Sequence, residues 1–133
     1  MKDRLTAEQS NRFIELGVDP SKASMCQIQH SADGETVYRI VEHDEYCYEM
    51  SCLHPKPIFT LSDVLTLLPK EIYSEERDIF YKLNITMGNS SSDVYYRHYG
   101  YVKGFGPMKS APELIDCLYE LLIWCITNKH IEP

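Results

Sequence analysis

The strongest constraint on this chain is a segment whose side chains alternate with a period of two. Between Ile79 and Met87, apolar residues occupy every second position. Successive side chains of a strand point to opposite faces, so this alternation predicts a half-buried β-strand. Residues 88–93 contain only Gly, Asn, Ser and Asp, which predict a turn, and residues 94–102 are then its hairpin partner.

Three segments combine a hydroxyl residue with an acid or amide three positions later, the pattern of a helix start. The predicted helices cover residues 7–16, run from Thr60 to Pro69, and run from Ser110 to about Asn128. The apolar stripe of the third helix broadens toward its C-terminal end. We therefore expect Leu121 and Trp124 to be buried against the inward side of the 79–87 strand, at Tyr81, Leu83 and Ile85.

An earlier strand pair is predicted over residues 36–42 and 46–53, which are joined at residues 43–45 and are rich in β-branched and aromatic side chains. The element order is then α-β-β-α-β-β-α. Short hairpins imply antiparallel pairing. The predicted fold class is α+β, with three helices and a four-stranded antiparallel sheet made from two hairpins, in a single domain over residues 1–133.

Charge and composition favour some binding partners and some cellular locations over others. The net charge is −7, which opposes diffuse binding to nucleic acid or to anionic lipid. The sequence contains no apolar run of membrane-spanning length and does not begin with a secretory signal pattern, so we expect a cytoplasmic protein. In a reducing compartment, the odd number of five cysteines predicts free thiols.

Sequence patterns for chemistry are weak. Cys26, His30, Cys47, Cys52 and His54 could be soft metal ligands, but they lack the CxxC spacing of a structural zinc site. Acidic residues at 42–45 and 71–78 are interpreted as solvated edges with no more than weak binding of divalent cations. Nucleophile motifs are missing too. We therefore predict no catalytic residues, no metal and no cofactor, and we expect a protein that is not an enzyme.

The segment at residues 103–106 is Lys-Gly-Phe-Gly and resembles the start of an RNA-recognition signature. Pro107 follows it directly, and proline cannot donate to a sheet ladder. We therefore predict that these residues form a turn between the last strand and the third helix.

Three segments together resemble a group of small uncharacterised proteins of gut bacteria and their phage-like or mobile elements. These segments are residues 5–9, residues 57–72 and residues 118–131. All of them contain helix caps or core helix positions. These are folding motifs, so the resemblance assigns no site residue and no chemistry, and what it implies is limited to an accessory product of a mobile element.

One stretch differs from the acidic rest of the chain. Residues 94–112 contain no acid, and their basic residues alternate with tyrosines. Alternation with a period of two divides this strand between two faces. Tyr96, His98 and Val102 lie on one face, which we expect the helices to cover. The exposed side is then a predicted interaction face made of Tyr95, Arg97, Tyr99, Tyr101 and Lys103.

The leading hypothesis is a binding or regulatory accessory protein that uses this face to meet a protein partner or a second copy of itself. Two other functions stay open. One is a small-ligand binder or enzyme with a pocket between the sheet and the C-terminal helix, containing Tyr96 and His98. The other is an acidic DNA mimic. Tyrosine is also simply a good strand former, so the stripe alone does not decide between these functions.

Overall fold

The computed structural model describes residues 2–32, 34–42, 55–100 and 103–133. The helices are α1 (Ala7–Glu15), α2 (Leu61–Leu67) and α3 (Leu114–Thr127), and a short 3-10 helix covers Pro20–Lys22. The strands are β1 (Met25–Ala32), β2 (Glu35–Glu42), β3 (Lys56–Ile58), β4 (Glu71–Ser74), β5 (Ile79–Met87), β6 (Ser92–Arg97) and β7 (Phe105–Ala111). Within these ranges, none of the helices combines the length and the apolar character that a membrane span requires.

The strands form two antiparallel sheets, so the fold is α+β, as the sequence predicts. One sheet has the order β2-β1-β3, and the other has the order β4-β5-β6-β7. The predicted hairpin of residues 79–87 and 94–102 is confirmed as β5 and β6, although β6 ends early, at Arg97. Residues 36–42 lie in β2 and pair with β1, a strand that the sequence analysis did not predict, while residues 43–54 lie outside the described residues.

The chain divides into two compact units. One unit is Asp3–Asp63 with Pro133, and the other is Val64–Glu132 with Lys2. The boundary therefore falls inside α2. The single domain expected from the length of the chain stays a prediction.

The first unit begins with the capping box that the sequence predicts. The N–H of Gln9 donates to Thr6 Oγ1 and the N–H of Thr6 donates to Gln9 Oε1, both at 3.1 Å. α1 then buries Phe13 against the ring of Phe59, with 5.3 Å between ring centroids in an edge-on arrangement. The buried Ser10 hydroxyl accepts from the N–H of Phe59 at 3.1 Å, which satisfies a polar group in this core.

The second predicted cap is also confirmed, and it has an additional contact. The N–H of Asp63 donates to Thr60 Oγ1 at 3.2 Å, and the N–H of Thr60 donates to the Asp63 carboxylate at 2.9 Å. The same carboxylate accepts from the N–H of Ser24 at 2.8 Å and from the Ser24 hydroxyl. Asp63 therefore both caps α2 and fixes the chain just before β1.

In the second unit, α3 covers one face of the four-stranded sheet, which we call the inner face. α3 packs mainly against β6 and β7. Ile72, Tyr81, Val94 and Tyr96 are buried on this face. The buried residues of α3 are Leu114, Ile115, Cys117, Leu118, Leu121, Leu122, Cys125 and Ile126.

Trp124 does not have the environment predicted for it. Leu121 is fully buried as expected, but Trp124 is only half-buried. Its ring lies 6.0 Å from that of Phe105 and 4.7 Å from that of His130, and it faces Gly106 of β7. The prediction of a buried Trp124 was therefore wrong. α3 packs mainly against β6 and β7, and contact of Leu121 and Trp124 with β5 stays a prediction.

The predicted turn over residues 103–106 is wrong for its second half, because β7 begins at Phe105. Phe105 pairs with Tyr96, and Lys109 pairs with Val94. Three residues of β7 therefore lie opposite the single Tyr95, which is a bulge. β7 is an edge strand of its sheet, where a proline such as Pro107 is tolerated because no neighbour requires its N–H.

The continuation of β7 also changes the start of α3. Ser110 was predicted to cap this helix, but its hydroxyl donates to Asp93 Oδ1 of β6 at 2.5 Å. The N-cap is Glu113, and it makes no capping hydrogen bond through its side chain. The Glu113 carboxylate accepts from the N–H of Lys2 at 2.9 Å. Ser110 was assigned wrongly because it lies opposite Asp93 in the sheet.

The bulge predicts that Gly106→Ala is strongly destabilising. Gly106 has φ +76°, and an added Cβ would lie 2.3 Å from the Trp124 ring. Left-handed strain of about 1–3 kcal/mol would add to overpacking of about 1–3 kcal/mol, so the free energy of unfolding should fall by at least about 2 kcal/mol. Urea unfolding measures this change. Gly100→Ala is the control, because its Cβ would lie at an ordinary 3.6 Å from the His98 ring. Equal unfolding midpoints for the two variants would contradict the geometry at Gly106.

Candidate interaction face

The sheet surface opposite α3, which we call the outer face, carries side chains from all four strands. Register defines it: Lys82 pairs with both Glu71 and Arg97, and Asn84 pairs with Tyr95. Residues that pair directly project to the same side of a sheet. The outer face consists of Glu71 and Tyr73 from β4, Phe80, Lys82, Asn84 and Thr86 from β5, Asp93, Tyr95 and Arg97 from β6, and Met108 and Ser110 from β7.

Four of the five predicted face residues can be located. Tyr95 is half-buried and Arg97 is exposed on the outer face, while Val94 and Tyr96 are buried on the inner face, so the predicted division is confirmed for the residues within β6. Tyr99 is exposed, and it lies in a turn because β6 has already ended. Two residues remain: Lys103, which is exposed, and Tyr101, which lies outside the described residues.

Several outer-face residues were missed by the sequence analysis. Phe80 is 53% exposed and its ring lies 5.1 Å from that of Tyr73, which is 45% exposed. The Tyr73 hydroxyl donates to the carboxylate of Asp78, and this hydrogen bond raises the pKa of Tyr73. Phe80 and Lys82 could have been found as the second set of the alternating strand, whereas Tyr73 depends on strand pairing that no local pattern reveals.

Two cations lie side by side at the centre of the outer face. Lys82 and Arg97 are direct cross-strand partners. Glu71 is the partner of Lys82 on its other side. No ion pair within 4.0 Å joins Lys82 or Arg97 to a carboxylate among the residues described. This pair is therefore a local positive site on a chain of net charge −7.

Two open depressions meet at Arg97. The first has a volume of about 480 Å³ and the second has a volume of about 450 Å³. The first is lined by Lys82, Leu83, Asn84, Arg97 and Tyr99. The second is lined by Thr86, Asp93, Tyr95, Arg97, Gly104, Gly106 and Met108, so it lies over the bulge of β7.

The alternative site between the sheet and the C-terminal helix was predicted around Tyr96 and His98. Tyr96 is fully buried, its hydroxyl donates to the carbonyl of Pro69 at 2.8 Å, and the Cys125 thiol approaches that hydroxyl at 3.7 Å. Burial raises the pKa of Tyr96 and raises that of Cys125 to about 11. Both groups are therefore protonated at neutral pH. His98 Nδ1 lies 3.1 Å from the carbonyl oxygen of Phe80, so its ring is held at the strand end.

The candidate metal ligands do not form a described site. Cys26 is buried in the first unit. Cys47, Cys52 and His54 lie outside the described residues, as does the side chain of His30. Within the part of the chain that the structure describes, no three His, Cys, Asp or Glu side chains are grouped to hold a metal ion.

Comparisons of the chain with family models, curated proteins and solved structures find no match. The resemblance to proteins of gut bacteria and mobile elements therefore stays a prediction.

The outer face predicts a sharp contrast between two substitutions. Leu121 is fully buried, so Leu121→Ala should lower the free energy of unfolding by about 2–5 kcal/mol through lost burial and a cavity. Tyr99 is 102% exposed, so Tyr99→Ala should change it by no more than about 0.5 kcal/mol. Urea unfolding compares the two variants. If Tyr99→Ala destabilises as much as Leu121→Ala, Tyr99 is part of the core and cannot be part of a free binding surface.

Proposed function

We propose that this chain is a cytoplasmic, non-enzymatic binding or regulatory protein that engages a protein partner, or a second copy of itself, through the outer face. The resemblance to products of mobile elements suggests an accessory role of this kind. The outer face is the part of the protein that would carry the function, and α3 and the inner face would hold it in place.

The observation that carries this proposal is the exposure of large side chains around Arg97, which forms no ion pair with any carboxylate in the described part of the chain. Tyr99 and Met108 are 102% and 62% exposed, and Phe80 is 53% exposed. Surface aromatic residues and arginine are enriched among residues that dominate the free energy of protein association. Shorter polar residues could occupy these strand and turn positions without loss of the fold, so the size of the side chains supports a role in contact.

Charge supports a protein over a nucleic acid as partner. The chain has a net charge of −7, so an extended polyanion would be repelled over most of the surface. The outer face itself contains Glu71 and Asp93 beside its two cations. This mixture of charges also offers nothing that favours a DNA mimic, which requires regularly spaced carboxylates.

The proposal predicts that capture of a partner depends on the exposed tyrosine. Immobilised wild-type protein should retain specific proteins from a lysate of the organism that encodes it, as measured by quantitative mass spectrometry, and Tyr99→Ala should lose them. Tyr38→Ala is the matched control, because Tyr38 is 59% exposed on β2 of the other unit. Size-exclusion chromatography with light scattering tests self-association with the same variants.

Two results would contradict the proposal when found together. One is a strict monomer at high concentration. The other is a set of captured proteins that is identical for the wild type and for Tyr99→Ala.

A further inference from the structure

We propose that the partner presents a carboxylate, flanked by an aromatic or other apolar side chain, to Lys82 and Arg97. This inference rests on the proposed function and specifies the chemistry of the segment bound. The partner is then a protein with an exposed acidic peptide segment. The carboxylate would bind between the two cations, and its apolar neighbour would enter a depression beside Arg97.

The like-charged pair is the first argument. Lys82 and Arg97 are directly opposite each other on adjacent strands, an arrangement that destabilises a sheet when both residues carry the same charge. The two acids of this face in the central region, Glu71 and Asp93, form no ion pair within 4.0 Å with either cation, and Asp93 instead accepts a hydrogen bond from Ser110 at 2.5 Å. A carboxylate placed between the cations removes this repulsion and gives Arg97 a partner suited to its planar donors.

The depressions beside Arg97 supply the second argument. On one side, the depression of about 480 Å³ is bordered by Tyr99, whose exposed ring can stack on a planar group. On the other side, the depression of about 450 Å³ is lined by Gly104, Gly106 and the exposed Met108. An apolar side chain next to the bound carboxylate can occupy either space.

The extent of the positive charge selects a short acidic segment over a polyanion. Two adjacent cations can bind one or two carboxylates. A nucleic acid would bring phosphates in succession along the face, where Glu71 and Asp93 lie, on a chain of net charge −7. Nucleic acid affinity needs several phosphate contacts, so this face is too small and too mixed in charge for it.

The test is an NMR titration of the ¹⁵N-labelled full chain with three defined probes. They are the peptide acetyl-Glu-Phe-Asp-Phe-Glu-amide, its uncharged analogue acetyl-Gln-Phe-Asn-Phe-Gln-amide, and a short single-stranded oligothymidine. We expect the acidic peptide to bind with a Kd below about 5 mM and to shift the amide signals of Lys82, Tyr95 and Arg97. Its uncharged analogue should bind at least about tenfold more weakly, because charge-assisted hydrogen bonds are lost.

Variants connect this binding to the two cations. Arg97→Gln and Lys82→Gln should each weaken binding of the acidic peptide by about tenfold, whereas Arg39→Gln, which removes an exposed charge from β2, should leave it unchanged. A dispersed amide spectrum for each variant verifies that it is folded. Equal affinity for the acidic and uncharged peptides, no saturable binding of the acidic peptide below about 5 mM, or tighter binding of oligothymidine would overturn the inference.

The capture experiment separates this inference from the proposed function. If Tyr99→Ala fails to capture the proteins that Arg97→Gln still captures, the proposed interaction face stands and the proposed role of the two cations is overturned. Loss from both variants, with retention by Arg39→Gln, supports both proposals.

Discussion

Packing of α3 against the inner face of β6 and β7 is the interaction on which the second unit depends. The helix contributes Leu118, Leu121 and Leu122, each fully buried, and each such side chain is worth about 1.5–3 kcal/mol of burial. Tyr96 extends this core, and its hydroxyl reaches the carbonyl of Pro69 at 2.8 Å, so that a buried polar group is satisfied. Because strand residues alternate, covering Val94 and Tyr96 leaves their neighbours on the outer face.

The bulge in β7 links this packing to the shape of the outer face. Gly106 adopts φ +76° and allows the Trp124 ring to approach the strand closely from the helix side. The same bulge brings Gly104 and Gly106 to the floor of a depression on the outer face. A substitution at Gly106 is therefore expected to disturb both the packing against Trp124 and the backbone that lines this depression.

Local chemistry predicted the elements whose signals are contained in a few residues. The alternation between Ile79 and Met87 was sufficient to predict β5 with its observed ends, and Thr6 with Gln9 was sufficient for the start of α1. The wrong predictions concern residues whose structure depends on contacts with segments distant in the sequence. Pro107 was interpreted as a strand stop because the sequence could not reveal that β7 lies at an edge, where the missing N–H has no cost.

The same distinction between local and long-range signals applies to the candidate interaction face. Tyr95 and Arg97 follow from alternation within one strand, and exposure of that side follows once helices are assigned to the other. Lys82 could not be connected to Arg97, because their juxtaposition depends on the register of β5 and β6. β1 was missed since its buried alternation rests on only two apolar positions, Cys26 and Ile28, which is too short a run to identify a strand.

Hydroxyl-radical footprinting of the isolated protein, read residue by residue with mass spectrometry, tests the central claim that one sheet face is covered and the other is free. Tyr81 and Tyr96 are 1% and 0% exposed and should be protected until the protein is unfolded in urea. Tyr99 and Met108 should be oxidised rapidly in the folded state. Oxidation of Tyr96 at the rate of Tyr99, or protection of Tyr99 in the free monomer, would contradict the account.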